Sequence, residues 1–280
     1  IRHCLLSRGL GDVYKRQVQL VGISMSEAVI QINEIKNQVS QEEWSMRVDL
    51  AAAYRLVAHY GWDDMVFTHL SARVPGPEDH FLLNPFGYQF HEVTASNLVK
   101  IDLDGNVVLD NGFSVNAAGF TIHSAVHMAR HDAMAVMHLH TDGGVAVSSM
   151  KEGLLPLTQH SLFVYHDLAY HDWEGVALDL DERERVVADL GTKNLMLLRN
   201  HGTLALGSNV GSCFMRIYYL ERACQIQVNA MTGTLNMPDE KAINMMEQTF
   251  NNPNAWDGLS KTAWPSMIRL ADRLDPSYAS

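Results

Sequence analysis

Cysteine is scarce in this sequence, which has only three among its 280 residues. Cys213 and Cys224 fall within one predicted helix about three turns apart, a separation of roughly 16 Å along the helix axis that excludes a bridge between them. Because Cys4 is the only other thiol, we expect no disulfide framework. This composition favours a reducing compartment and predicts a cytoplasmic protein.

Long apolar runs and an excess of positive charge are also missing. No hydrophobic stretch approaches the roughly 18 residues that a membrane-spanning helix needs. The formal net charge of −11 argues against nucleic acid or an anionic membrane as a partner, because both are recognised through a positive field. With 280 residues, 47% of them hydrophobic, the chain is predicted to bury one sizeable core, as an enzyme-sized globular domain does.

The first 17 residues are not expected to belong to the folded protein. Residues 4–17 (CLLSRGLGDVYKRQ) are similar to translated sequencing-adapter sequence, so we treat residues 1–17 as a non-native leader. A signal peptide is the rival interpretation, but the apolar stretch is short and is interrupted by charges such as Arg8 and Asp12. Without the leader, which carries four basic residues and one acidic residue, the net charge is −14 and Met25 is the expected start.

Hydrophobic periodicity predicts a mixed α/β domain. The first helix is expected after a capping box made by Ser40 and Glu43, and a hairpin is expected around the turn at residues 104–106. The remaining expectations are helices at 119–130, 182–191 and 210–231, strands at 65–74, 135–140, 195–201 and 204–206, and a mostly extended segment at 154–165. We assign residues 18–39 to an N-terminal extension, 40–233 to the domain and 234–280 to a loosely packed tail.

Two histidines at the end of a predicted strand are the strongest chemical signal. His138 and His140 are two residues apart, so their side chains project from the same face of the strand as a chelating pair. His201 ends another short apolar run and is the candidate third ligand. Three neutral imidazoles with one open position are typical of a catalytic rather than a structural zinc site.

A second set of histidines competes for this role. His123, His127 and His131 recur at intervals of four in a predicted helix, and histidines at that spacing can also chelate a metal. We expect His127 and His131 instead to form a solvated or rim-facing stripe.

Six short motifs follow one another along the chain: 68–73 (THLSAR), 84–87 (NPFG), 103–108 (LDGNVV), 119–124 (GFTIHS), 138–141 (HLHT) and 199–202 (RNHG). In this order and spacing they resemble the class II aldolase and adducin head domain family. The resemblance covers roughly residues 42–233 and implies a three-layer α/β/α fold around a mostly antiparallel sheet. It also implies a homotetramer with active sites between subunits, and a divalent metal, usually zinc, at His138, His140 and His201. Mn²⁺ and Fe²⁺ are the alternative ions.

Departures from the family pattern bear on the substrate. The sugar-phosphate aldolases place a glutamate, which is a metal neighbour and a proton-transfer base, where this chain has Gly119. Their phosphate-binding positions correspond here to residues 68–69, 86–87 and 117–118, which include an aromatic residue and two alanines that carry no donor side chains. We therefore disfavour a phosphorylated sugar. The candidate substrate-binding residues are His69, Ser71, Phe86, Gly87 and Gly119.

Two histidines could supply the proton transfers that the missing glutamate would perform. His123 is one helical turn beyond Gly119 and could be a base or a metal ligand. His160 falls where the aldolases place a proton-donating tyrosine, as the resemblance implies. We favour a lyase-like metalloenzyme that carries out aldol cleavage, decarboxylation or isomerisation of a small, non-phosphorylated carbonyl or carboxylate substrate through a metal-stabilised enediolate. The alternatives are an adducin-like binding module without catalysis and an iron-dependent oxygenase on the same site.

Overall fold

A computed structural model describes residues 35–76, 80–115, 117–175, 181–250, 252 and 254–280; the side chains of residues 117–120 are outside this description. The chain divides into two compact units, Ile1–Ser40 and Gln41–Ser280. The predicted leader and most of the predicted N-terminal extension lie outside the described residues. All candidate site residues belong to the second unit.

The second unit is built on one sheet, which has eight strands within the described residues, in the order β4-β3-β2-β1-β5-β8-β7-β6. Neighbouring strands are antiparallel except for β6 and β7, which are parallel, so the predicted mostly antiparallel sheet is confirmed. The strands are β1 (His69–Arg73), β2 (His80–Leu83), β3 (Val99–Asp102), β4 (Val107–Leu109), β5 (Ala135–Leu139), β6 (Leu168–His171), β7 (Leu195–Leu198) and β8 (Gly202–Gly207).

Helices cover both faces of the sheet. The smaller core lies under α2 (Ala117–Ala129) and α5 (Glu182–Leu190), and it includes Val136 and Leu204. The larger core lies on the opposite face and includes Leu70 and Met137. It is covered by α1 (Gln41–His59), α3 (Asp142–Ser148), α4 (Gln159–Val164), α6 (Val210–Ala230), α7 (Glu240–Phe250) and α8 (Ala255–Leu274). The three-layer α/β/α fold is therefore confirmed.

Strand alternation separates the two cores and places the histidines. In β1, Leu70 and Ala72 enter the larger core, so His69 and Ser71 point to the α2 side of the sheet. His69 is the antiparallel partner of His138 in β5, and partners in a sheet project to the same face. The α2 side of the central strands is therefore where polar residues replace the apolar core.

Two local predictions were wrong. The segment 154–165 is not mostly extended, because α4 occupies Gln159–Val164, and a capping box starts the helix, with Thr158 and Ser161 each binding the other's backbone N–H. The strand expected from residue 65 begins only at His69, because Met65 and Thr68 have φ angles of 54° and 64°, which are incompatible with extended backbone.

The C-terminal segment is more ordered than predicted. In α8 and the turn after it, Trp256, Ala271 and Tyr278 are at most 2% exposed, and the indole N–H of Trp264 donates to Asp49 in α1 at 3.1 Å. The expectation of loose packing was therefore wrong for this part, because its aromatic residues bury themselves against the larger core. Within the ranges described, no helix is both long and apolar enough to cross a bilayer.

Candidate metal centre

The three predicted ligands come together at one end of the sheet. His138 lies in β5, His140 directly follows it, and His201 lies in the tight turn between β7 and β8, where Asn200 takes a left-handed φ of 57°. Each pair of imidazole centroids is 4.8 Å apart, and all three ligand atoms lie within 4.8 Å of one another. Strand pairing between β5 and β8 therefore closes the cluster that the sequence predicted.

Two oxygen atoms fix the tautomers of this cluster. Nδ1 of His138 lies 2.9 Å from the carbonyl oxygen of Thr203, and Nδ1 of His140 lies 3.0 Å from the carboxylate of Asp64. Because these oxygens only accept hydrogen bonds, both Nδ1 atoms must carry the proton. The Nε2 atoms are therefore the ring nitrogens left to bind a metal, and they face each other at 3.0 Å.

Two ring nitrogens that face each other this closely can share one cation, so the geometry fits a metal site. A tetrahedral zinc with Zn–N bonds of about 2.0–2.1 Å separates its ligand nitrogens by roughly 3.3 Å, which is within the spacing of the cluster. A carboxylate or carbonyl behind a ligating imidazole is also the usual outer arrangement of a metal site. The three histidines thus fit a divalent ion and leave a position for a further ligand.

Burial keeps two of the three imidazoles neutral. His138 is 5% exposed, and burial together with the neighbouring His201 and His140 lowers its pKa well below the ordinary 6.5. Burial, followed by the charges of His140 and His171, lowers the pKa of His201 to about 4. Both rings therefore present lone pairs at neutral pH, as a metal ligand must.

Gly202 allows the β7–β8 turn to approach β5. A Cβ atom at this position would lie 2.4 Å from the carbonyl oxygen of Leu139, 3.1 Å from Cδ2 of His140 and 3.3 Å from Cε1 of His138. Any side chain at Gly202 would therefore push the turn that carries His201 away from the other two ligands.

A buried carboxylate supports the segment that follows His140. The Thr141 hydroxyl donates to Glu221 of α6, and the Gly144 N–H donates to the same oxygen at 3.0 Å. Glu221 is only 1% exposed, and burial raises its pKa. It anchors the start of α3, and therefore the position at which the chain leaves β5.

A second polar group lies beside the triad on the α2 side. His69 and His123 are both buried, and their rings meet edge to face with centroids 6.0 Å apart. His123 is close enough to His138 to contribute to its lowered pKa. Ser71 Oγ lies 2.7 Å from Nδ1 of His123 and 2.8 Å from Nε2 of His127.

The second set of histidines, at 123, 127 and 131, forms neither a metal site nor a fully solvated stripe. Among the described residues, the group able to share one ion is His138, His140 and His201, which includes no member of this set. His131 is exposed as expected, but the prediction of a solvated stripe was wrong for His127, which is 1% exposed. Its ring stacks on Phe81 at 4.5 Å because α2 turns this residue toward the sheet.

The other predicted site residues are more dispersed. Phe86 and Gly87 lie in the turn after β2, where the Phe86 N–H donates to the Ser114 carbonyl at 2.8 Å. Gly119 lies in the first turns of α2. His160 lies in α4, where its ring contacts Phe163 and Tyr219. The roles predicted for these residues remain predictions.

Sequence reasoning missed Asp64, Thr203 and Glu221. Asp64 follows Asp63 in a loop that has no regular pattern, and Thr203 acts through its backbone carbonyl. Glu221 interrupts the apolar face of a long predicted helix, and that interruption is the one signal that could have identified it.

The chain is similar to proteins named as aldolases and as adducins. A Caulobacter vibrioides protein named for the class 2 aldolases is 55% identical over 259 residues, covering 91% of this chain and 100% of that protein. Alpha-adducin of Mus musculus is 41% identical over 239 residues, covering 81% of this chain and 32% of that protein. Among solved structures, L-fuculose 1-phosphate aldolase from Glaciozyma antarctica has a TM-score of 0.74 and 30% identity, covering 85% of this chain and 92% of that one.

The family described as Class II Aldolase and Adducin N-terminal domain matches residues 48–228. This range contains β1, which carries His69 and Ser71, and all three histidines of the triad. The chain therefore belongs to the class II aldolase and adducin N-terminal domain family.

Proposed function

We propose that this protein is a divalent-metal-dependent enzyme of the lyase type that acts on a small, non-phosphorylated carbonyl or carboxylate compound. The observation that carries the proposal is the pair of Nε2 atoms of His138 and His140, which face each other at 3.0 Å beside His201. Zinc is the first choice for the ion, with Mn²⁺ and Fe²⁺ as alternatives.

The chemistry is divided between the metal and the protein. A bound divalent ion supplies Lewis acidity for the negative charge that develops on a substrate oxygen. His138, His140 and His201 would hold it, and Asp64 and Thr203 keep two of these rings in the ligating tautomer. Aldol cleavage, decarboxylation and isomerisation all need this charge stabilisation together with a group that accepts a proton.

His123 is our candidate for that proton acceptor. It is 2% exposed, neutral near pH 7 because burial lowers its pKa, and lies beside His69 and the triad. His160 contacts Phe163 and Tyr219 within its own chain. We therefore propose it as a proton donor only for the site of a neighbouring subunit, in the homotetramer that the resemblance implies.

The proposed substrate class rests on donors and charge. A phosphate dianion needs converging N–H and O–H donors, and burying it without them is costly. Phe86, Ala117 and Ala118 replace donor side chains at the phosphate-binding positions, and the chain has a net charge of −11. The metal still offers its open position to a carbonyl or carboxylate oxygen, which needs no phosphate site.

Metal analysis tests the first half of the proposal. The purified protein should carry about one divalent ion per chain, and His138→Ala or His201→Ala should remove it. His131→Ala is the matched control, because His131 is an exposed histidine that does not belong to the cluster. Unchanged occupancy in both ligand variants would reject this metal site.

Activity screening tests the second half. Metal-loaded protein should turn over unphosphorylated hydroxy acids or hydroxyaldehydes, and L-fuculose 1-phosphate should serve as the reference substrate because of the aldolase relative. Efficient cleavage of that phosphate by the unmodified protein would contradict the proposed substrate class.

An adducin-like binding module is the second candidate, favoured by 41% identity to alpha-adducin. Full metal occupancy without turnover of any carbonyl, carboxylate or sugar-phosphate compound would support it over the lyase. Oxygen consumption by the iron-loaded protein would instead support an iron-dependent oxygenase on the same histidines.

A further inference from the structure

A series of buried hydrogen bonds joins β1, α2 and the turn that precedes β5. Nδ1 of His127 lies 3.0 Å from the Ala133 carbonyl oxygen, and its Nε2 lies 2.8 Å from Ser71 Oγ. Ser71 Oγ in turn lies 2.7 Å from Nδ1 of His123. Ser71, His123 and His127 are at most 2% exposed, so water does not compete for these contacts.

The donor and acceptor of each hydrogen bond in this series follow from the Ala133 carbonyl at one end. The Ala133 oxygen can only accept, so Nδ1 of His127 carries the proton and its Nε2 is a bare acceptor. Ser71 has one hydroxyl hydrogen, which it donates to that Nε2. Its oxygen must then accept from Nδ1–H of His123.

The reverse direction would require His127 to be a cation with protons on both nitrogens. Burial and the adjacent Arg73 guanidinium lower the pKa of His127 to about 3, so the ring is neutral near pH 7. Arg73 donates to the backbone carbonyl of His127, which keeps its positive charge beside this ring. A cationic His127 is therefore excluded at neutral pH.

This series of hydrogen bonds ends in an acceptor that has no partner among the described residues. With its proton on Nδ1, His123 has a bare lone pair on Nε2, and no described residue donates to this buried atom. The neighbouring residues Thr68 and His69 also have buried polar atoms, Oγ1 and Nε2, without a partner in the described part of the structure. Unsatisfied buried polar atoms are costly, and their concentration beside the triad indicates that a polar ligand satisfies them.

We propose that Ser71 and His127 are positioning residues that hold His123 in its Nδ1-protonated tautomer, so that its Nε2 lone pair accepts the hydrogen of a substrate hydroxyl. The inference rests on the proposed function and narrows the substrate to compounds with a hydroxyl next to the carbonyl or carboxylate group. His123 is not part of the group that can share the ion, which leaves its lone pair for the substrate.

Nitrogen-15 NMR of the histidine side chains tests the tautomer without any turnover. In the unmodified protein, Nδ1 of His123 should be protonated and Nε2 unprotonated, with the signals assigned by their loss in His123→Gln. Adding Zn²⁺ should shift the Nε2 signals of the triad and leave His123 in the same tautomer. A protonated Nε2 in the unmodified protein, or ligation of Zn²⁺ by that atom, would overturn the proposal.

A pair of substitutions at His127 tests the positioning role. His127→Phe keeps an aromatic ring over Phe81 but removes the acceptor, so the Ser71 hydroxyl should turn and donate to Nδ1 of His123, which moves the proton to Nε2. His127→Gln offers an amide oxygen to Ser71 and should retain the original tautomer. His131→Gln is the control for an exposed histidine. A switch in the Gln variant, or none in a folded Phe variant, would contradict the assigned direction.

Glycolate and methoxyacetate provide the ligand test, because they share the same oxygen positions and only glycolate has a hydroxyl hydrogen. The preference of the zinc-loaded protein for glycolate should fall about threefold to tenfold in His127→Phe, as expected for one lost hydrogen bond, and persist in His127→Gln. An unchanged preference after the tautomer has switched would refute the hydroxyl site. Absence of lyase turnover despite these results would reject only the proposed reaction.

Discussion

A single added methyl group at Gly202 should lower both the metal affinity and the unfolding free energy, and the two effects can be measured separately. In Gly202→Ala the new Cβ would lie 2.4 Å from the Leu139 carbonyl oxygen, so the backbone of the β7–β8 turn must move. Overpacking of this kind costs about 1–3 kcal/mol of unfolding free energy. Because the turn carries His201, the same movement should weaken metal affinity about 10- to 100-fold, as disturbed support of a metal ligand does, which equals about 1.4–2.8 kcal/mol.

Gly207 offers a matched control at the other end of the same strand. A Cβ there would lie 2.4 Å from the backbone nitrogen of Cys213, so Gly207→Ala should cost similar stability without moving a ligand. Competition with a chromophoric chelator would measure zinc affinity, and urea unfolding of the metal-free proteins would measure stability. If Gly202→Ala binds zinc within threefold of the unmodified protein, or if Gly207→Ala loses as much affinity, the geometric reasoning is wrong.

Three further outcomes are expected. Asp64→Asn should weaken zinc binding about tenfold, whereas Asp63→Asn should not, as measured by the same chelator assay; equal losses would contradict the role of the Asp64–His140 contact. Unfolding of the metal-free protein should become easier as the pH falls from 6.5 toward 3, because His127 has a pKa of about 3 when folded and 6.5 when unfolded. The contribution of His127 to the unfolding free energy is complete above pH 6.5 and falls by up to about 1.4 kcal/mol per pH unit below it. In urea titrations at a series of pH values, the unfolding free energy of His127→Phe should therefore depend less steeply on pH. Light scattering should show a closed homo-oligomer, and a monomer at micromolar concentration would count against a site between subunits.

The three-histidine group could be predicted because its sequence signals are local. Two histidines at strand spacing must share a face, and a third at the end of another apolar run needs only sheet pairing to join them. The hairpin around residues 104–106 was predictable for the same reason, and it is confirmed as β3 and β4. Periodicity and turn chemistry determine these features within a few residues.

The features that sequence reasoning missed depend on contacts between distant segments. His127 has the spacing of a surface stripe, and only the packing of α2 on β1 buries it against Ser71 and Phe81. Asp64 reaches His140 through a loop whose left-handed φ angles at Met65 and Thr68 are not signalled by glycine. Trp256 becomes core only because α8 packs on α6, an arrangement that its polar surroundings in the sequence do not indicate.

The antiparallel register of β1 and β5 links the chemistry of the site to the folding of the core. His69 is paired with His138, and Leu70 with Met137, so each strand supplies the site and the larger core with alternate residues. A slip of β1 by one residue would turn His69 and Ser71 into that core and Leu70 toward the histidines. A deletion or insertion within β1 should therefore impair folding as well as activity. Because misregistered chains would fail to fold, every folded molecule already has β1 and β5 paired in the register that assembles the histidine site.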